Sequence, residues 1–384
     1  MFQPSTIAHY LVLDGMRGIA AIMVAIHHYS KSNSNLFLLL NANLAVDLFF
    51  ILSGFVLAHS YATRIASGMT FGEYIRKRII RLYPMFALGL LFGLTVLLTI
   101  GGADGCSSLA LVANGLRNLL FLPSLNACST TDFGSPTPAI GAIFTPNPPL
   151  WSLFFEMVAS CGFFLLAKLS GKRLLQFAGM SFALLLALSV LDALATKSLG
   201  IQITHGWGTM NFIGGFPRVF YGFALGIYLY QFLQRDRGGI ERRIPAPLSY
   251  PAVLFLLLTI MLAFPFPFRG LYSVVCVLTV CPALVLLGAA VTTENRFTLA
   301  LSKVLGQLSY PVYCLHVPVG LVVFAVASKF DLPAATASAL SLVGTIVVSA
   351  IFLKVYDEPV RRALANRMPK FRIAAETARR VELP

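Results

Sequence analysis

Charge is what this sequence has least of: Asp, Glu, Lys and Arg together make up 11% of its 384 residues, against about a quarter in an ordinary soluble domain. That scarcity excludes a soluble fold, and also a soluble domain carried on a single anchor, because the apolar runs recur along the whole length. Acid is scarcer than base, 15 residues against 29, for a net charge of +14. A nucleic-acid partner is not implied, since the basic residues sit in short connectors between apolar runs, where membrane topology puts them. Cysteines number only six. Cys161, Cys276, Cys281 and Cys314 fall in apolar runs as small buried hydrophobes, whereas Cys106 and Cys128 share one polar loop and could pair if that loop faces an oxidising compartment. No cleavable leader is visible, because Arg17 interrupts the first apolar run, which is therefore expected to stay as a helix. Neither an internal repeat nor a metal-binding cluster stands out.

What is present in excess is hydrophobic side chain, 57% of the chain, with a mean hydropathy of +0.80. The pattern predicts an all-α polytopic membrane protein of about ten helices in one bundle, at about 16–36, 42–62, 83–100, 149–167, 174–195, 213–233, 249–266, 270–291, 304–328 and 336–356. With both termini cytoplasmic, 22 of the 29 basic residues fall inside and six (Lys31, Arg117, Lys197, Arg218, Arg269 and Lys329) outside, with Arg17 in a span. Residues 1–362 form the transmembrane domain and 363–384 a basic cytoplasmic tail suited to an anionic leaflet. The largest outside segment, 101–149, is rich in Gly, Pro, Ser and Thr, and its LVANGLRNLLFLPSL stretch reads as an amphipathic piece lying on the membrane or capping the bundle.

The few polar groups inside spans are then the candidates. Arg17 and His28 are eleven residues apart, within about 20° of three full helical turns, so they project from one face at roughly 16 Å separation. Asp47, near the outer end of span two, is an intramembrane acid and calls for a partner or a cavity. Ser53 and Gly54 follow in mid-span, where a glycine also suits close helix approach. Arg78 and Arg81 in FGEYIRKRIIRLYP are three apart on one helical face and could converge on a phosphate, although a plain basic anchor has the same look. Trp151 opens span four as an interface aromatic, with Glu156 a turn and a half deeper in the outer half of the membrane. His316 is central in span nine, where it suits a site or a hydrogen bond to a neighbouring helix. His59 and His205 read as structural, and His27 as facing away from whatever His28 serves.

Taken in order, these stretches resemble the integral-membrane acyltransferase-3 family, which includes bacterial O-acetyltransferases of surface polysaccharides. Arg17 with His28 meets its basic-x10-His step, LAVDLFFILSGF its second-helix motif, and Arg78, Arg81, Tyr83 and Pro84 its cytoplasmic step. Trp151 to Leu153 with Glu156, PRVFYGFALGIYL, LGQLSYPVYCLHVPV and Asp357 before Pro359 complete it over about 13–362. Met157 and Val158 stand where the family often has glutamate and glutamine, leaving Glu156 without a second carboxylate. No soluble esterase-like domain is expected after span ten. The resemblance implies an enzyme of the bacterial inner membrane that transfers an acyl group, commonly acetyl, from cytosolic acyl-CoA to a hydroxyl of a glycan, glycolipid or small molecule, without a metal. Arg17, Arg78 and Arg81 would hold the donor, and Ser53, Trp151 and His316 would line the pocket. His28 would act as general base, oriented by Asp47 or Glu156, or alternatively carry the acyl group itself. A transporter or flippase for a lipid-linked sugar or anion is the other reading, in which the same charges line a pathway.

Overall fold

In a medium without water every backbone N–H and C=O must find its partner inside the protein, and the apolar runs meet that demand as helices. The computed structural model describes residues 10–30, 41–101, 103–104, 106–126, 128–130, 141–197 and 200–367; His9, Lys31 and the tail from 368 onward lie outside them. The helices are α1 Leu11–Ser30, α2 Leu44–Ala66, α3 Phe71–Ile100, α4 Ser108–Leu119, α5 Trp151–Leu166, α6 Gly171–Thr196, α7 Gly215–Arg235, α8 Arg237–Arg243, α9 Pro251–Ala263, α10 Arg269–Val275, α11 Cys281–Ala290, α12 Arg296–Lys329, α13 Ala334–Phe352 and α14 Glu358–Asn366. π-Helical turns at Cys276–Val280 and Leu353–Asp357 join α10 to α11 and α13 to α14. Strands are limited, among the described residues, to a two-residue antiparallel pairing of β1 Ala103–Asp104 with β2 Ser129–Thr130.

Eight helices among the described residues, each joined pair counting as one, are long and apolar enough to cross a membrane. The protein is an all-α polytopic membrane protein. The two other spans read from sequence are helical as well: α7 has 21 residues with Arg218 in its first turn, and α9 has 13, about 20 Å against a hydrocarbon core of about 30 Å. Span three differs from its expected limits. Thr70 and Glu73 form a capping box that starts α3 at Phe71, so Pro84, expected to open the span, lies inside a 30-residue helix of about 45 Å. The boundary drawn at 362 likewise falls inside α14.

Two helix pairs position the site. Arg17 of α1 meets Gly306 and Ser309 of α12, while Tyr29 meets the His316 carbonyl; the contacts advance together, so the two helices run parallel. A Cβ on Gly18 would strike the Leu305 backbone at 2.5 Å, which fixes how closely they approach. Helices α2 and α7 lie closer still, with Gly54 against the Phe223 backbone and Gly226 against the Ile51 carbonyl. Gly54→Ala is therefore expected to cost about 1–3 kcal/mol, read as a lower Tm in detergent; an unchanged Tm would show that α2 and α7 can separate freely.

The connection from α3 to α5 folds back into the bundle. Cys106 and Cys128 form a disulfide, and α4, the amphipathic piece foreseen in the sequence, rests on α3 with Gly115 against Leu94. Asn114 and Asn118 hydrogen-bond to Thr145 and to the Ile143 carbonyl at 3.3 and 3.0 Å, tying α4 to residues 141–150. That segment dips inward. The Asn147 side-chain amide donates to the Gly89 carbonyl of α3 at 3.0 Å and to the Cys314 carbonyl of α12 at 2.8 Å, two residues from His316. Irregular backbone at this depth is tolerable because protein surrounds it: Ile143, Phe144, Thr145 and Asn147 are all buried.

Candidate functional site

A cavity of about 160 Å³ lies between α1, α2, α3, α5 and α12. Arg17, Ser53, Arg78, Arg81, Glu156 and Ser309 supply its polar lining, with Tyr310, Tyr313 and apolar groups such as Phe49 and Leu57 between them. Five of the residues singled out from sequence thus share one space. Arg17 is held by Ser309 Oγ at 3.0 Å, the Gly306 carbonyl at 3.2 Å and Asp14 at 3.0 Å. Asp14 stands one turn before it on α1, and the i, i+3 spacing brings the two charges together.

Arg78 and Arg81 part company. Arg78 is buried, donating to Glu156 Oε1 at 2.9 Å and to Ser160 Oγ at 3.3 Å, and Ser53 Oγ donates to the same Glu156 oxygen at 3.1 Å. Arg81 remains exposed at the cavity edge. Their three-residue spacing gave no sign of this division, because the partner on α5 is remote in sequence. Glu156 also lies deeper than expected. The inward dip of residues 141–150 starts α5 near the level of Cys314, so Trp151 is 8% exposed instead of an interface residue, and Glu156 reaches the same cavity as Arg17. Phe71 contacts Phe164 near the ends of α3 and α5. Arg78 is then roughly 10 Å, and Glu156 roughly 12 Å, above that contact by helical rise, a match in height that permits the ion pair.

Asp47 belongs to a second cluster. Its two carboxylate oxygens accept from Arg218 Nε and Nη2 at 2.7 and 2.8 Å, and both residues are buried. Arg218 also donates to the His205 carbonyl at 2.9 Å, and its guanidinium lies 5.5 Å from the Trp151 ring centroid. The sequence reading has Asp47 or Glu156 orient His28; in the structure Asp47 accepts from Arg218, and Glu156 accepts from Arg78 and Ser53. Arg218, counted in the sequence only as an outside charge, is the residue that reading missed. The signal was there in part, since an acid in the first turn of α2 and a base in the first turn of α7 enter at equal depth.

His28 has a different neighbour. Its ring centroid is 5.2 Å from that of His316, so the shared face of Arg17 and His28 is turned to α12 at both ends. His316 is thirteen residues from Lys303 and thirteen from Lys329, midway along the apolar part of α12. Its Nδ1 is 3.1 and 2.9 Å from the Val312 and Tyr313 carbonyls; carbonyls only accept, so Nδ1 carries a proton. The Tyr313 ring is 5.9 Å from the His316 ring and also lines the cavity, while its hydroxyl is shared with Ser152 at 2.7 Å and donates to the Pro149 carbonyl at 3.0 Å. The histidine pair therefore sits one aromatic ring behind the arginine-lined cavity. Three guanidiniums against Glu156 and Asp14 leave a net positive charge that suits an anionic ligand there, and imidazoles beyond it suit proton transfer.

A family model described as "Acyltransferase domain" matches residues 10–354. A curated protein, "Protein 2 in picA locus" of Rhizobium radiobacter, is 33% identical over 39% of this chain and 78% of its own length. No solved structure matches. Among the described residues no group of three or more His, Cys, Asp or Glu is placed to hold a metal ion.

Proposed function

We infer, from the fact that this chain belongs to the integral-membrane acyltransferase-3 family, that it moves an acyl group, acetyl in the simplest case, from cytosolic acyl-CoA to a hydroxyl of a glycan, glycolipid or related acceptor. Membership favours transfer chemistry over the transporter reading. One observation carries the finer assignment: Arg17, Arg78 and Arg81 line a single cavity together with Tyr313, whose ring lies 5.9 Å from that of His316, the ring neighbour of His28. The arginines suit the approach of an anionic donor, and the imidazoles stand where a slender thioester arm would end.

In the proposed reaction His28 accepts the proton of the acceptor hydroxyl. The oxygen attacks the thioester carbonyl carbon, the C–S bond breaks, and the leaving thiolate takes the proton back from the imidazolium. His316, with its Nδ1 proton held by helix carbonyls, keeps the neighbouring ring in place. Glu156, already bound by Arg78 and Ser53, sets the charge and position of the arginine over the donor, and Asp47 with Arg218 acts as the anchor of α2 to α7.

Orientation follows from two independent features. The basic connectors favour the face at which α1 begins as cytosolic, and the Cys106–Cys128 disulfide, on the opposite face, suits an oxidising compartment. Both features support a reading in which the protein sits in the bacterial inner membrane with both termini in the cytosol.

The test is transfer by the purified chain in lipid nanodiscs given isotope-labelled acetyl-CoA and surface glycan extract. Release of one thiol per labelled acceptor is expected; absence of both thiol release and label would refute the donor. Mass spectrometry of surface glycans from a strain lacking the protein would then identify which hydroxyl loses which acyl mass.

A further inference from the structure

A second concavity lies at the face where α1 begins, between the end of α2, the start of α3, and α14. Arg64, Lys77, Arg81, Arg361 and Arg362 surround it together with one acid, Glu358, and its volume is about 390 Å³. Basic residues that only mark topology scatter round the rim of a bundle. Here three separate helices turn theirs toward one hollow, and α14 is braced to present them: Arg361 pairs with Asp357 at 2.7 Å, and Glu358 takes Arg362 at 2.9 Å and Lys354 at 2.7 Å. Five cations against Glu358 and the Asp357 that pairs with Arg361 leave the hollow net positive. Tyr61 adds an aromatic wall, with the Arg64 guanidinium 5.9 Å from its ring centroid.

Adjacency to the inner cavity decides the occupant. Arg81 lines both spaces, so the hollow adjoins the cavity that holds Arg17, Arg78 and Glu156. We propose that the hollow of α2, α3 and α14 binds the phosphorylated nucleotide head of the acyl-CoA donor, with Arg64, Lys77, Arg361 and Arg362 as its phosphate ligands and Arg81 as the step between head and arm. The proposal rests on the donor reading above. A phosphomonoester alone brings about −1.5 to −2 charge at pH 7, with a pyrophosphate adding more, which matches the surplus of cations. Arginine forks and a lysine point charge recognise these groups without a metal. Anionic lipid headgroups share the same phosphate chemistry, and the experiment separates the two sources.

Full-length protein in nanodiscs is titrated with CoA and with 3′-dephospho-CoA, as wild type and as Arg64→Glu with Arg362→Glu. Arg362 is 75% exposed in its side chain and Arg64 is exposed, so neither supports the core. Binding of CoA should weaken roughly tenfold or more, that of dephospho-CoA by less than about threefold, collapsing the preference between them. The neutral pair Arg64→Gln and Arg362→Gln should show the same loss of preference in smaller measure. Unchanged CoA affinity in a variant with wild-type Tm overturns the proposal and leaves the donor reading standing. Weaker binding to phosphatidylglycerol vesicles with CoA binding intact gives the hollow to lipid and also overturns it. If the wild type binds neither CoA nor acetyl-CoA, the donor reading falls first and this one with it.

Discussion

Replacing His28 with alanine should lower acyl transfer by about 10²–10⁴-fold, the usual contribution of a positioned general base, while membrane insertion and Tm stay near wild type. The ring makes its aromatic contact with His316 near the middle of the bundle, and removing it deletes a proton acceptor while leaving the α1–α12 interface, fixed by Gly18 and Arg17, in place. Full transfer activity in His28→Ala would sink the assignment. Incubation with labelled acetyl-CoA in the absence of acceptor separates the two chemistries: a base leaves the protein unlabelled, whereas an acyl-histidine intermediate leaves label on His28.

The second large effect is on stability. Asp47→Ala or Arg218→Ala should each destabilise by about 3–5 kcal/mol, because each leaves one buried charge without its partner. Arg218→Lys should rescue little, since an ammonium cannot span both Asp47 oxygens and also serve the His205 carbonyl. The double variant Asp47→Ala with Arg218→Ala should be less harmful than the sum of the singles, as expected of a coupled pair. A Tm drop shared by the singles and relieved in the double identifies an anchor; loss of transfer at unchanged Tm would restore Asp47 to the histidine.

Much of the bundle was legible because bilayer chemistry leaves few choices. Apolar runs had to be helices, and an arginine and a histidine eleven residues apart had to share a face; both face α12. What sequence distance hides is which charge meets which. Arg78 and Glu156 are 78 residues apart and Asp47 and Arg218 are 171, and no local spacing announces either pair. Depth was misjudged for Glu156 because a loop rich in Gly and Pro reads as surface, whereas residues 141–150 carry buried apolar groups and an asparagine that bonds helix carbonyls. Pro84 reads as a boundary by its effect on an isolated helix, yet the capping box at Thr70 and Glu73 sets the start of α3 instead.

The inward fold of residues 141–150 bears on a problem unrelated to the chemistry of transfer. A charged cavity that reaches from one face toward the middle of a membrane thins the barrier against ions, and the resting potential acts across whatever barrier remains. Phe144, Pro149 and Leu150 fill the opposite half with buried apolar bulk. Asn147 closes the gap between α3 and α12, and the hydroxyls of Tyr313 and Ser152 are spent on each other and on the Pro149 carbonyl. A loop filled in this way is expected to act as electrical insulation, so that a deep polar cavity can exist in the membrane without becoming a leak for protons.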